Sequence, residues 1–467
     1  MSRLALLLLL TTPVWGQPPA DVTASAGYGV WQEAIRFAGA GKVEEAEARL
    51  KQALKLDPKL HDARTHLASL YLQQGRFDDA IRQYQQVIEA VPESPRALHN
   101  LAIAYYRGGL GGPAAQTLRA AIKLDPSNKA IRKDLGKLLL ETGAIMEATS
   151  LYGESTRLFP DDANAHNDYG VIMTRTGKTA EAINSFRRAL ELDPGQPDAH
   201  YNLGLALMTN WQLEDAIGEF NEALRIAPEY ADAFYNLGRA QLRSGEVEQA
   251  IGSFQETVRL KNDYDQAHHQ LGLAYVMQGE PRKAVSAFTE ALRHNPRSTP
   301  THFELGKLLN RENRHAISLR HFEEVVRAEP LNAEAHLELG KSLAAVDRLQ
   351  EAMTHFREAV WLRPDSPQAR TAMARQQATT DDPAIRDGAS AADTAATALQ
   401  IAQRQLVEAL EALAAAKAEV GDATAAVTYQ EEALATAHKV GDEDLVANLA
   451  SQLANYKKDA AETAAAP

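Results

Sequence analysis

The chain has 467 residues, of which 24% are charged and 45% are hydrophobic, and this composition is that of an ordinary globular protein. Its formal net charge of −13 argues against a nucleic-acid partner, because such binding needs clustered Lys and Arg. The chain holds no cysteine, which excludes disulfide bonds and a lipid anchor attached to cysteine.

The first 16 residues have the pattern of a secretory signal peptide. Arg3 precedes a leucine-rich run from Leu4 to Leu10, and small residues follow at Val14 and Gly16. The apolar run is too short to span a bilayer. We therefore expect cleavage after Gly16, a short segment over 17–26, and a periplasmic or secreted protein without a transmembrane segment. A buried or frayed N-terminal helix is the alternative.

Proline recurs every 34 residues over most of the chain. Because proline is roughly 5% of an average protein, such a period marks a repeat architecture. A solenoid of repeats offers a long surface rather than an enclosed pocket. Asn262 replaces the proline once, and the prolines of the series are Pro58, Pro92, Pro126, Pro160, Pro194, Pro228, Pro296, Pro330 and Pro364.

Other positions repeat together with the proline when it is counted as position 32. Position 8 is usually glycine, position 15 is often a turn glycine, position 20 is alanine in every repeat but the ninth, which has Ser318, and position 24 is usually aromatic. Small residues let two helices approach, the ring fills the space between them, and proline ends the second helix. Each repeat is therefore predicted to be two antiparallel helices, A and B. Repeats 1 to 10 are 27–60, 61–94, 95–128, 129–162, 163–196, 197–230, 231–264, 265–298, 299–332 and 333–366.

These motifs resemble the tetratricopeptide repeat family, whose pattern is W-x2-L-G-x2-Y, then A-x3-F, A and P. The resemblance implies an all-α fold, a right-handed superhelical solenoid of helix-turn-helix repeats, and it is weak support for any one function. Histidine replaces the family's tryptophan at position 4 of five repeats. Equivalent helices pack about 8–10 Å apart, too far for two such histidines to share one zinc ion, so we expect packing roles and no metal. These residues are His166, His200, His268, His302 and His336.

The region after the repeats is predicted to be helical and acidic. We expect a capping helix over 367–380, a linker over 381–395, an alanine-rich helical region over 396–458 and a disordered tail over 459–467. Placing Gly421 at a turn makes 407–440 a degenerate repeat. Residues 381–467 hold 15 acidic and 6 basic side chains. A bare cap and a second partner surface are both open interpretations.

No sequence motif indicates catalysis. The chain has no glycine-rich phosphate loop, no nucleophile elbow and no H-E-x-x-H. The segment after the repeats is also too short, and too poor in strand signals, for a catalytic domain. We therefore expect a protein that is not an enzyme and has no cofactor.

One stripe of helix A is the candidate binding surface. Positions 2, 5, 6, 9 and 13 share a face at the 3.6-residue period, and the resemblance places that face on the concave side. Rings at position 5 and amides at position 6 suit an extended peptide, unless the rings are partly core and the amides bond to neighbouring helices. The candidate ligand-binding residues are Asn100, Tyr201, Asn202, Tyr235, Asn236, His269, Gln270 and Phe303.

The sequence thus predicts an exported scaffold that binds a protein or an extended peptide in the concave groove. One alternative is a polysaccharide- or cell-wall-associated assembly factor, because stacked rings also suit sugars. A second alternative is the regulatory subunit of a separately encoded enzyme. The identity of the partner and the oligomeric state are not determined by the sequence.

Overall fold

The computed structural model describes residues 25–419 and 422–465. Over these residues it contains 24 helices and no strands, and 81% of it is helical, which confirms the predicted all-α class. The predicted signal peptide lies outside the described residues. None of the helices among them has the length and apolar character that a membrane span needs. The chain divides into two compact units, one ending at Ala233 and the other beginning at Phe234.

The first unit consists of six helix pairs, one for each of repeats 1 to 6. Within it each helix packs against the next one along the chain, both inside a pair and between pairs. The helices are α1 (Tyr28–Gly39), α2 (Val43–Leu56), α3 (His61–Gln73), α4 (Phe77–Ala90), α5 (Pro95–Arg107), α6 (Gly111–Leu124), α7 (Lys129–Glu141), α8 (Ile145–Leu158), α9 (Ala163–Arg175), α10 (Thr179–Leu192), α11 (Pro197–Thr209) and α12 (Leu213–Ile226).

The second unit takes up most of α13 and all later helices. From α14 onward, each helix again packs against its successor. The helices are α13 (Ala231–Ser244), α14 (Val247–Leu260), α15 (Asp265–Gln278), α16 (Pro281–His294), α17 (Thr299–Arg311), α18 (His315–Ala328), α19 (Ala333–Ala345), α20 (Leu349–Leu362), α21 (Pro367–Thr379), α22 (Gly388–Glu419), α23 (Ala423–Val440) and α24 (Glu443–Ala465).

The C-terminal region departs from the prediction at two boundaries. Helix α22 begins at Gly388, inside the predicted linker, and α24 continues to Ala465, inside the tail predicted to be disordered. The first boundary follows from Asp387, whose carboxylate accepts a 2.9 Å hydrogen bond from the backbone N–H of Ser390 and caps the helix. The second follows from a run without glycine or proline that is rich in helix-forming residues. The predicted turn glycine, Gly421, lies outside the described residues.

Glycine at position 8 lets the two helices of most repeats approach closely. A β-carbon added to Gly272 would lie 2.5 Å from two ring atoms of Phe288, and one added to Gly204 would lie 2.7 Å from the ring of Phe220. The ring at position 24 therefore rests on the backbone of helix A. Rings of this series with at most 2% exposure are Tyr84, Phe186, Phe220, Phe254, Phe288, Phe322 and Phe356.

The repeats without a ring at position 24 also lack the glycine. Repeat 1 pairs Ala34 with Leu50, and repeat 3 pairs Ala102 with Leu118. A larger residue on helix A thus accompanies a smaller one on helix B, which keeps the volume between the helices roughly constant. Repeat 2, with alanine at position 8 and a tyrosine at position 24, is the exception.

The turn inside each repeat uses a left-handed backbone conformation at position 15. Glycine supplies it in seven repeats, while Asn313 and Asp347, residue types that tolerate it, supply it with φ of 57° and 62°. Repeat 6 places Trp211 there with φ of 60°, although a bulky side chain disfavours this conformation. The Trp211 side chain is 76% exposed. The glycines are Gly41, Gly75, Gly109, Gly143, Gly177, Gly245 and Gly279.

Replacing Trp211 by Gly should therefore stabilise the protein by about 1 kcal/mol, since the left-handed conformation costs a non-glycine residue about 1–2 kcal/mol. Urea denaturation followed by circular dichroism measures the change. The matched control is Gly177→Ala at the same position of the preceding repeat, which should lower stability by about 1 kcal/mol. A Trp211→Gly variant less stable than the wild type would show that contacts of the indole outweigh the backbone strain.

Replacing Gly272 by Ala should lower the free energy of unfolding by about 1–3 kcal/mol, because the new methyl group must displace the Phe288 ring. Gly252→Ala is the control. Gly252 is also inside a helix, but no atom beyond the nearby backbone of its own helix and its chain neighbours lies within 4 Å of its added β-carbon, so this change should stabilise by about 0.5–1 kcal/mol. Equal effects of the two substitutions in the same urea titration would contradict the packing described here.

Candidate functional site

The four rings predicted at position 5 lie against the buried ring at position 24 of their own repeat. Tyr201 also lies 5.0 Å from the ring of Tyr230, and Tyr235 stacks on Tyr264 at the same distance and is only 9% exposed. These contacts limit the ring area that a ligand can cover. The centroid distances to position 24 are 6.0 Å for Tyr201–Phe220 and Tyr235–Phe254, 5.6 Å for His269–Phe288 and 5.9 Å for Phe303–Phe322.

Two of the four predicted amides bond to other side chains of the protein. Asn202 donates from Nδ2 to Oδ1 of Asn167, 3.1 Å away, on the helix A of the preceding repeat. Asn236 is 5% exposed and accepts a 3.0 Å hydrogen bond from Nη1 of Arg239. These amides therefore contribute to the structure of the repeats. The other two predicted amides, Asn100 and Gln270, are half-buried.

The predicted strip is divided between the two units. Tyr201 and Asn202 lie on α11 in the first unit, whereas the strip from Tyr235 to Phe303 lies on α13, α15 and α17 in the second. The continuity of the strip from one unit to the other stays a prediction.

A histidine at position 4 links its repeat to the end of the repeat before it. In all five repeats with histidine at this position, the Nε2 atom hydrogen-bonds the backbone carbonyl oxygen of position 32 in the preceding repeat. The histidines predicted to have packing roles are thus donors between repeats. The distances are 2.9 Å for His166–Pro160, 3.1 Å for His200–Pro194, 3.0 Å for His268–Asn262, 3.1 Å for His302–Pro296 and 3.0 Å for His336–Pro330.

Arginine makes the same contact where it replaces histidine. Arg64 and Arg132 donate to the carbonyls of Pro58 and Pro126 at 3.1 Å and 2.6 Å. Arg370, after the last repeat, does so as well. Histidine and arginine thus share the ability to donate a hydrogen bond at this position, whereas repeats 1, 3 and 7 carry Val30, Leu98 and Phe234 there.

Two of the position-4 histidines face a second histidine that the repeat pattern alone did not reveal. Nδ1 of His302 lies 2.9 Å from Nδ1 of His321, and Nδ1 of His336 lies 3.0 Å from Nδ1 of His355. Burial and the neighbouring ring lower the pKa of His321 to about 4 and also lower the pKa of His355. In the sequence, two histidines 19 residues apart recur 34 residues later, and this pattern is the signal that could have revealed both pairs.

A cavity of about 270 Å³ opens between α5 and α7 in the first unit. Buried Leu118 and Leu138 and half-buried Ile103 form its apolar floor. Leu118, which lines the cavity, occupies position 24, where most repeats carry a ring. Tyr106 lies at its edge and donates a 2.7 Å hydrogen bond to Glu141. The charged residues that also line the cavity are Arg107, Asp134, Lys137 and Glu141.

A second cavity, of about 170 Å³, opens on the other side of α7, against α8 and α9. The rings of Tyr152 and Phe159 line it together with Lys133 and Asp168. Burial raises the pKa of the Asp168 carboxyl, while the nearby Lys133 and Lys137 act in the opposite direction. The sequence analysis placed helix-A positions 5, 6 and 9 on the binding face. Those positions line these two cavities in repeats 3 to 5.

Comparison with known families assigns the repeats. Profiles described as tetratricopeptide repeat match residues 32–81, 65–129, 201–265 and 303–369, and another matches 265–298. A profile described as TPR repeat matches 170–210. The chain belongs to the tetratricopeptide repeat family. No curated protein sequence matches it.

Solved structures with similar helical repeats cover different shares of this tetratricopeptide repeat chain. The crystal structure of MamA matches at 27% identity with a TM-score of 0.33, over 35% of this chain and 95% of that chain. YrrB, a TPR protein with an unusual peptide-binding site, matches at 22% identity with a TM-score of 0.37, over 40% of this chain and 96% of the YrrB chain. Yeast Tom70 matches at 14% identity with a TM-score of 0.36, over 92% of this chain and 95% of the Tom70 chain.

Changing His268 to Leu, the residue type that repeat 3 carries at position 4, should destabilise the protein by about 1 kcal/mol, because the carbonyl of Asn262 loses its donor. His268→Arg should cost less, since arginine makes the same bond elsewhere in the chain. Urea denaturation and hydrogen exchange of residues 258–275 measure both effects. Equal stability of the Leu and Arg variants would count against a linking role for this bond.

Proposed function

We propose that this protein is an exported, non-enzymatic scaffold that binds an extended peptide segment of a partner protein along the helix-A face of its repeats. Membership of the tetratricopeptide repeat family supports a role in protein interaction. The leucine-rich segment before Gly16 supports export, and N-terminal sequencing of the mature protein would test it.

The cavity between α5 and α7 is the observation that carries the proposal. Its floor is apolar, and the exposed charges of Arg107, Lys137 and Glu141 surround it. An apolar pocket with a charged rim suits one large apolar side chain of a peptide whose neighbouring residues are polar. The residues at the rim carry both signs of charge, so they favour a ligand that also carries both.

The second cavity sets the spacing between two side chains of the ligand. The two cavities lie on opposite sides of α7, and neighbouring helices pack about 8–10 Å apart. An extended chain rises about 3.3 Å per residue. Two side chains about three residues apart in an extended peptide can therefore occupy both cavities. Asp168 and Lys133 in the second cavity favour a polar or charged side chain at that point.

Polysaccharide binding has less support than peptide binding. The predicted stacking rings, Tyr201 and Tyr235, pack against Tyr230 and Tyr264 of the same repeats, which leaves less ring area for a sugar. The predicted strip around Tyr235 and Asn236 remains part of the proposed face, but the main contacts of these two residues are with other residues of the protein.

Selection of a peptide library on the purified protein tests the proposal. We expect enrichment of sequences with a large apolar residue next to charged residues. The double variant Ala102→Gly/Leu118→Phe should still fold, because most repeats carry glycine and a ring at these positions. The new ring is larger than Leu118, and we expect it to occupy part of the cavity that Leu118 lines. Fluorescence polarisation should then show an affinity for the selected peptides that is lower by roughly tenfold or more, since burying an apolar side chain contributes about 1.5–3 kcal/mol.

The matched control is Ala34→Gly/Leu50→Phe, the same pair of changes in repeat 1. This variant should bind the selected peptides like the wild type. The proposal fails if no sequence is enriched, or if the repeat 3 variant binds as well as the control.

A further inference from the structure

The two histidine pairs of repeats 9 and 10 form the same arrangement twice. His302 on α17 faces His321 on α18, and His336 on α19 faces His355 on α20. Ring centroids are 5.1 Å apart in both pairs, with interplanar angles of 40° and 37°. In each case a position-4 ring meets a position-23 ring, so the arrangement follows from the repeat geometry.

The second ring nitrogen of each position-4 histidine is held by the backbone. Nε2 of His302 hydrogen-bonds the carbonyl of Pro296, and Nε2 of His336 that of Pro330. A carbonyl only accepts, so the proton is on Nε2 and the lone pair of Nδ1 points toward the other ring. Histidines that bind metals usually donate their other ring N–H to such an acceptor, which fixes the orientation of the ring.

The distance between the two Nδ1 atoms fits a metal ion as well as it fits a hydrogen bond. Two nitrogens each about 2.0–2.1 Å from a metal and separated by 2.9 or 3.0 Å subtend an angle of about 90° at the metal. That angle belongs to neighbouring positions of square-planar or octahedral coordination, the geometries of Cu(II) and Ni(II), rather than to tetrahedral zinc.

We propose that each histidine pair chelates one divalent transition-metal ion, preferably Ni²⁺ or Cu²⁺, through the two Nδ1 atoms. Water fills the other coordination positions, because no group of three or more His, Cys, Asp or Glu suited to a metal exists within 25–419 and 422–465. The proton that lies between the rings in the metal-free pair moves to Nε2 of His321 or His355, so both ligands bind as neutral imidazoles.

Other repeats show that the contact between positions 4 and 23 does not depend on histidine. Arg64 meets Gln83 at 3.1 Å, and His200 meets Glu219 at 2.6 Å. Glutamine at position 23 is therefore compatible with the fold. This makes His321→Gln and His355→Gln suitable test variants, because they remove a ligand and leave the position-4 hydrogen bond to the backbone in place.

Isothermal titration of the full, tag-free protein with NiCl₂ at neutral pH tests the proposal. We expect about two Ni²⁺ per chain, about one in either single variant, and none in His321→Gln/His355→Gln. The control His166→Gln/His268→Gln removes position-4 histidines whose repeats lack histidine at position 23, and it should keep both ions. Circular dichroism checks that each variant is folded.

A second measurement locates the ion. Paramagnetic Ni²⁺ should broaden the imidazole resonances of the four proposed ligands before those of the other histidines; these ligands are His302, His321, His336 and His355. The proposal is overturned if the wild type binds no Ni²⁺, if the double variant keeps both ions, or if the control loses them. Because these histidines lie in a different unit from the cavities of repeats 3 to 5, failure here leaves the peptide proposal unaffected, and the reverse also holds.

Discussion

The contact between the position-8 glycine and the position-24 ring determines how closely the two helices of most repeats approach. Without a β-carbon on helix A, the ring of helix B rests directly on the backbone, as Phe288 does on Gly272. The same ring supports the residue at position 5, since Phe288 lies 5.6 Å from His269. One core contact therefore sets the distance between helices A and B and also supports the position-5 side chain on the helix-A face. This is why residues chosen for binding from their position on the stripe also prove to be part of the packing.

Consecutive repeats are joined by a different interaction. It is a hydrogen bond between the side chain at position 4 and the backbone carbonyl at position 32 of the repeat before. Proline at position 32 ends helix B and has no N–H, but its carbonyl oxygen still needs a donor in the loop. Histidine or arginine at position 4 supplies that donor, as His268 and Arg132 show. Asn262 can replace the proline because the bond uses only the backbone carbonyl. The position-32 residue that marks the period is thus the acceptor, and the position-4 histidine is the donor, of the same hydrogen bond.

The period alone was enough to predict the helix pairs, because the spacing of glycine, ring and proline reports contacts inside one repeat. Contacts between two helices at unlike positions were not predictable in this way. The pairing of His302 with His321 depends on how position 4 meets position 23, which no single-helix pattern contains. The left-handed Trp211 was hidden for another reason: its residue type argues against the conformation that its place in the repeat imposes. The start of α22 depends on one capping residue, Asp387, inside a segment whose composition indicates a linker.

A solenoid of identical repeats would present the same surface ten times and could not distinguish one ligand position from another. Specificity in such a protein must come from repeats that depart from the pattern. In repeat 3, Leu118 stands where most repeats carry a ring and lines a cavity with a charged rim. In repeats 9 and 10, histidine at position 23 turns an ordinary contact between helices into a pair of facing nitrogens. Both features use the standard geometry of the repeat and change only the side chain at one place. The regular positions therefore explain why this protein folds, and the irregular ones are the places where we propose that it binds ligands.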